Sequence, residues 1–225
     1  MPPIAIRTRR LILRSPQARD LAAILNLHTN PANLAFDRTP PGPPPTLSSF
    51  EPKISEWRAM ADRMERIFMI VAIPSNSQRS EFLGSNVRLG YVENEVQDDV
   101  VIGITGFNEF VKRDEDSCTE VPHGKFKSTN VGVMIDAAYC RNGYASEALS
   151  AILDIGFDHF GCDFIAADTM ATNVPFMALM ARLGLAACGN EVTGRERGTE
   201  MEYAVNREEW IRARATLCEA NRVNK

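Results

Sequence analysis

One stretch limits what this chain can become. Residues 130–161 pass from strand to turn to helix without a break. Val131, Val133 and Ile135 recur at period two, the pattern of a strand buried on at least one face. The turn is Ala137-Ala138-Tyr139-Cys140-Arg141-Asn142-Gly143. Helical spacing then places Ala145, Ala148, Leu149, Ile152, Leu153, Gly156, Phe157 and Phe160 on one face and Asp154, Asp158 and His159 on the other. A strand, a glycine-containing turn and a helix make an anion site, because the first-turn amides have no partner within the helix and point into the turn. The helix dipole adds about half a positive charge there. A phosphate suits such a place, although a tight turn needs glycine for its backbone angles with or without a ligand. No run matches a phosphate-binding G-x-x-x-x-G-K-[ST] or a dinucleotide G-x-G-x-x-G, so neither fold is supported.

With 225 residues, 44% of them hydrophobic, the chain can bury one substantial core; two small domains are the alternative. A net charge of −4 argues against a nucleic-acid binder, which needs clustered positive charge. It suits a cationic amine as substrate, and solubility explains it equally well. The five cysteines, Cys118, Cys140, Cys162, Cys188 and Cys218, form no C-x-x-C pair, and His28, His123 and His159 complete no zinc pattern. Free thiols in a reducing compartment and no metal are therefore expected. No apolar run approaches the roughly 20 residues of a membrane span. The Arg-rich start could mimic a mitochondrial presequence, but Leu11-Ile12-Leu13 reads as strand, so a cytoplasmic location is expected.

In chain order, residues 4–14 read as a first strand, with an edge carrying solvated arginines as the plain physical interpretation. A short helix follows, with Leu21, Ile24, Leu25 and His28 on one stripe and His28 taken as packing rather than as a ligand. The run Thr39-Pro40-Pro41-Gly42-Pro43-Pro44-Pro45 favours polyproline II and reads as a stiff loop, with a docking motif as the alternative. Ser48 or Ser49 can cap a helix to about Arg66, with Ile54, Trp57, Met60, Ala61 and Met64 inward. Residues 67–73 and 100–107 read as neighbouring antiparallel strands. Two long segments, 74–99 with a β-like excursion inside it and 112–129, read as loops that shape specificity. Strands are expected at 164–170 and 199–205. Between them lies a helix capped by Asn173, with Pro175 in its first turn and Gly184 at its end. Asn206 caps a closing helix.

The string Cys140-Arg141-Asn142-Gly143-Tyr144-Ala145 closely resembles the acetyl-coenzyme A pyrophosphate loop of the GNAT acetyltransferase superfamily, Gln/Arg-x-x-Gly-x-Gly/Ala. Ser146-Glu147-Ala148-Leu149 is similar to the Ala-Thr-Glu-Ala-Leu continuation of the branch that contains the acetyltransferases of ribosomal-protein N-termini. Thr8-Arg9-Arg10-Leu11-Ile12-Leu13-Arg14 resembles that branch's opening, and 173–185 its Asn-x-x-Ser-x-x-x-Leu-x-Lys-Leu-Gly-Phe segment. The resemblance runs from about Thr8 to Trp210.

It implies an α+β fold: one GNAT-like domain over 1–225, its mixed, mostly antiparallel sheet splayed between the fourth and fifth family strands, here 131–136 and 164–170. It implies acetyl-CoA as cosubstrate and an amine acceptor, either a protein N-terminus or a small molecule, attacked directly in a ternary complex. Main-chain groups of Met134 and Ile135 would pair with the pantetheine arm, and a strand amide there, Met134 the candidate, would stabilise the oxyanion. Cys140, Arg141, Asn142, Gly143, Tyr144, Ala145 and Ser146 would wrap the pyrophosphate, with Asn173 and Phe176 as further coenzyme contacts, Phe176 at the place near the thiol. Cys140 stands where Gln or Arg is usual, Phe176 where some members have Ser, and Met180 where many have a proton-donating Tyr. Glu109 is the first candidate for the general base, followed by Asp136, His123 and Asp168. The lost proton donor motivates the alternative of a non-catalytic acyl-CoA sensor; an ATP-type phosphate binder is a third reading. No nucleic acid or membrane is expected as partner, and a monomer or homodimer is.

Overall fold

A computed structural model describes residues 4–36, 42–75, 88–91, 98–112, 126–194 and 198–223. His123, Cys118, Cys218's side chain and residues 39–41 of the proline run lie outside the described parts. The described residues hold nine strands in the order β4-β1-β2-β3-β5-β6-β7-β9-β8. The strands are β1 (Ile4–Arg7), β2 (Ile12–Arg14), β3 (Ile67–Ile73), β4 (Arg88–Tyr91), β5 (Val100–Lys112), β6 (Phe126–Ile135), β7 (Phe164–Met170), β8 (Gly189–Gly194) and β9 (Gly198–Asn206). Helices are α1 (Leu21–Thr29), α2 (Leu47–Asp62), α3 (Tyr144–Asp158), α4 (Val174–Arg182) and α5 (Arg207–Val223). The sheet is mixed and mostly antiparallel, as the sequence implied, with β6 and β7 its parallel pair. The chain divides into two compact units, Met1–Glu109 with Gly132–Ala151 and Phe110–Val131 with Ile152–Lys225. Each division falls inside a regular element, β5, β6 or α3.

In the first unit, the expected single strand over 4–14 is a hairpin instead. Thr8 turns the chain by donating its amide to the Leu11 carbonyl at 3.0 Å while its hydroxyl accepts from the Leu11 amide at 3.0 Å. A side-chain hydroxyl that closes a turn competes with strand continuation, and here it wins. β4 pairs antiparallel with β1, Ile4 opposite Tyr91, which supplies the strand expected inside 74–99. The cap of α2 is Thr46 rather than Ser48 or Ser49; Ser49 returns a bond to the Thr46 amide, closing a reciprocal box. The helix ends at Asp62, before a left-handed Met64 (φ 54°), not at Arg66. One core of this unit joins Ile24, Phe50, Ile54, Ile70 and Ala72, with Trp57 stacked on Phe68 at 4.0 Å. His28 stacks on Phe50 at 5.4 Å.

In the second unit, β6 begins at Phe126, so the segment read as loop to 129 is strand at its end. Phe126 turns inward against Phe110 (4.7 Å), which meets Phe160 edge-on (5.1 Å). β7 pairs with β9 along its whole length, Phe164 opposite Asn206 and Met170 opposite Glu200. β8, Gly189-Asn190-Glu191-Val192-Thr193-Gly194, was not expected, since a single apolar residue shows no period. Asn173 and Asn206 cap α4 and α5 as read: the Asn173 Oδ1 accepts from the Phe176 amide (3.1 Å), and Asn206 and Glu209 exchange bonds. Gly184 follows α4 at φ 75°, and a Cβ there would stand 3.3 Å from Ala213, so a larger residue would be both strained and crowded.

Candidate functional site

The site grows from the end of β6. Its pairs with β7 run from Ser128 opposite Phe164 to Asn130 opposite Ala166 and go no further, although β6 continues to Ile135. This is the expected splay. At the last pair, the Asn130 side-chain Nδ2 donates to the Asp168 carboxylate at 2.8 Å, fastening the fork.

Beyond the fork, in the first unit, the sequence packs β6 unusually close to β5. A Cβ on Gly103 would overlap the Met134 carbonyl oxygen, so only glycine allows this approach. The Asp136 amide donates to the Ile102 carbonyl at 2.8 Å, and the Thr105 hydroxyl donates to the Gly132 carbonyl at 2.7 Å. Residues 132, 134 and 136 thus turn their main-chain groups to β5. Because alternate residues of a strand point to opposite edges, Val133 and Ile135 present theirs to the other edge.

A tight turn follows. Asp136 caps it by accepting from the Ala138 amide at 2.9 Å, and it also accepts from the Asn26 side chain at 2.7 Å. Asn33 accepts from the Ala137 amide at 2.8 Å. Neither asparagine was singled out from sequence; nothing local marks them, since their partners lie about a hundred residues on. Buried and held by such donors, Asp136 braces the turn.

Two residues in left-handed conformations, Arg141 (φ 65°) and Gly143 (φ 79°), then bend the chain into α3. Asn142 holds the bend, its side-chain amide donating to the carbonyls of Tyr139 (3.2 Å) and Cys140 (3.0 Å). Tyr144, Ala145 and Ser146 form the first helical turn, and the Glu147 amide, bonded to the Gly143 carbonyl at 3.1 Å, begins the helical ladder. The amides before it are the ones an anion would use. Cys140 is exposed, and burial of its sulfur together with Asp136 raises its pKa above the usual thiol range, with Arg141 opposing. That favours an unreactive thiol over a nucleophile.

The hairpin supplies a second cation here that the motif by itself did not show. Arg10 donates through Nε to Glu147 at 2.6 Å and through Nη1 to the Asn142 carbonyl at 3.0 Å, and its guanidinium lies 4.7 Å over the Tyr144 ring. The opening string and the helix string each resembled the family; that they meet was not readable from either.

Glu109 is exposed on β5, beside an Asn108 whose amide lies 3.8 Å from where a Cβ on Gly132 would stand. In the second unit, Phe176 is half-buried and meets the Tyr203 ring edge-on at 6.1 Å, and burial raises the Tyr203 pKa. Asn173 also donates to the Thr169 hydroxyl at 2.8 Å. Met180 is buried, 2% exposed, as core. Among the described residues no His, Cys, Asp and Glu cluster could hold a metal, and no helix is long and apolar enough to cross a membrane.

Known proteins share this fold. The chain is similar to Mycobacterium smegmatis RimJ, solved in complex with CoA-disulfide, at a TM-score of 0.67 and 18% identity over 99% of this chain and 98% of that one. It is similar to the ribosomal-protein-S5-alanine acetyltransferase of Vibrio fischeri at 0.62 and 12%, over 92% and 98%. At such identities these likenesses speak for the fold. An uncharacterized N-acetyltransferase of Bacillus subtilis, YnaD, is 33% identical over 84 residues, 36% of this chain; the match spans about half of that relative, 49%. Residues 10–186 match the acetyltransferase (GNAT) domain, a span that takes in the second strand of the hairpin, the splayed strands and the bend into α3, and the chain belongs to that family.

Proposed function

We propose that the protein is a cytoplasmic acetyl-CoA-dependent N-acetyltransferase that acts as one domain over 1–225, with a primary amine, on a protein N-terminus or a small molecule, attacking the thioester directly. The observation that carries this reading is the edge of β6 beyond Asn130, which runs without a β7 partner into a bend shaped for an anion. The residues present fit the coenzyme. Arg10, Arg141 and the first-turn amides of α3 suit a diphosphate, and Gly143 lacks the Cβ that would crowd it. Val133 and Ile135, whose main-chain groups face away from β5, suit the amides of an extended arm, as an added strand would. By the same alternation the oxyanion donor named at Met134 passes to one of these two neighbours.

In the transfer, a C–N bond forms as the C–S bond breaks; the amine's proton leaves to a base and the thiolate takes one up. Glu109, exposed on β5, is the base in this reading, reached directly or through water. Asp136 braces the turn. Purified protein should release free thiol from acetyl-CoA in the presence of an amine from a panel of peptides and small amines. Its melting temperature should rise with CoA and not with ATP. CoA binding without turnover on any acceptor would leave a sensor instead, and no CoA binding would end the proposal. Glu109→Gln should lower kcat by about 10²–10⁴-fold if the base is correctly named.

A further inference from the structure

We propose that Arg10 is a positioning residue for the diphosphate end of the coenzyme, acting by cancelling the charge of Glu147 and propping the bend at 141–143. The inference rests on the coenzyme reading above. Glu147 occupies the first turn of α3, where the positive end of the helix draws a carboxylate and a diphosphate alike. Left bare, it would repel the ligand from the amides that hold it. The hairpin prevents this. Glu147 accepts from the Thr8 hydroxyl (2.6 Å), from the Arg10 amide (2.7 Å) and from the Arg10 Nε (2.6 Å).

The rest of the guanidinium is turned to the bend. Nη1 holds the Asn142 carbonyl at 3.0 Å, and Nη2 stands 3.4 Å from the place a Cβ on Gly143 would take. Its plane covers the Tyr144 ring. A planar fork with five donors makes these contacts at once; an ammonium on a flexible stem does not. The Arg10 side chain stays 44% exposed while Glu147 is 17% exposed, so the cation of the pair remains within reach of solvent and ligand.

The test compares wild-type protein, Arg10→Ala, Glu147→Gln and the double variant by CoA titration and by turnover of two donors, acetyl-CoA and S-acetylpantetheine, the second lacking the diphosphate. Arg10→Ala should weaken CoA binding by tenfold or more and raise KM for acetyl-CoA, while costing S-acetylpantetheine turnover less than twofold. Adding Glu147→Gln should restore part of the lost affinity, and the restored part should shrink in high salt. Equal loss on both donors, or a double variant no tighter than Arg10→Ala, would overturn the inference. Should Arg10→Ala not fold, Glu147→Gln reads the same charge: it should bind CoA more tightly at low salt, and unchanged or weaker binding would overturn it. If wild-type protein fails to bind CoA, the proposed function falls; if it binds and Arg10→Ala binds equally well, only this inference falls.

Discussion

Arg10 and Arg14 stand four residues apart on one hairpin, each makes a short bond to a carboxylate, and they do opposite work. Arg14 is 1% exposed and grips two carboxylates, Asp20 at 2.7 and 2.8 Å and Asp99 at 2.7 and 3.1 Å. Asp99 also accepts from Arg19 at 3.0 Å, and Asp20 from the Gln17 amide at 2.7 Å. Burial alone would lower the Arg14 pKa; the bonds and charges of Asp20 and Asp99 outweigh it, and the net direction is up. This cluster ties β2, the turn before α1 and the foot of the 74–99 segment together. Arg10 has one carboxylate and turns the rest of its guanidinium to the Asn142 carbonyl and the Tyr144 ring. A buried ion network is costly to break and has nothing to spare for a ligand, whereas a half-exposed pair is cheap to break and remains available. Water access, more than ionic partner, separates the two roles.

Four substitutions press on that contrast. Arg14→Met leaves the buried Asp20 without its cation and Asp99 with only Arg19, and should cost about 3–5 kcal/mol in urea unfolding, because the uncompensated buried charge dominates; a loss below about 1 kcal/mol would erase the distinction between the two arginines. Gly143→Ala puts a side chain at φ 79° beside Arg10 and should cost about 1–2 kcal/mol, with CoA affinity falling further than stability. A CoA titration on folded protein separates the two effects. Arg10→Ala should cost less than about 1 kcal/mol in the same unfolding experiment, the mirror image of Arg14→Met. A larger stability loss would recast Arg10 as a fold residue.

The smallest effect tests an intermediate case. Asp154 on α3 accepts from the Trp210 indole at 2.8 Å and from Arg214 at 2.8 Å, yet burial outweighs both partners and raises its pKa. A raised folded pKa means that the folded chain binds this proton more readily than the unfolded one. The resulting stabilisation is full below the unfolded carboxylate pKa and is lost as pH rises through the folded value. Asp154→Asn should therefore lose most, relative to wild type, at the acid end and progressively less from about pH 4 upward. Melting temperatures of both proteins across that range check the sign; a gap that widens with pH would reverse it.

Some of this molecule was written locally. Period two in 131–135, helical spacing from Ala145, the caps at Asn173 and Asn206, and Gly143 at the bend all depend on residues within one or two turns of each other, so the chain's own order reveals them. The hairpin was missed because Thr8 closes it with a side-chain bond that interrupts an unbroken strand pattern. β8 was missed because its pairing with β9 carries it without any apolar rhythm. What only the folded chain decided is which of several arginines is buried, which carboxylate each one meets, and which edge of β6 each peptide faces. Glu147 and Arg10 lie 137 residues apart, and no local pattern records a partner at that distance. Helix and strand periods declare which residues leave water; they do not say against what. That second choice is made when distant segments are brought together, and at the N-terminal end of α3 it sets a half-exposed arginine of the hairpin against a helix carboxylate.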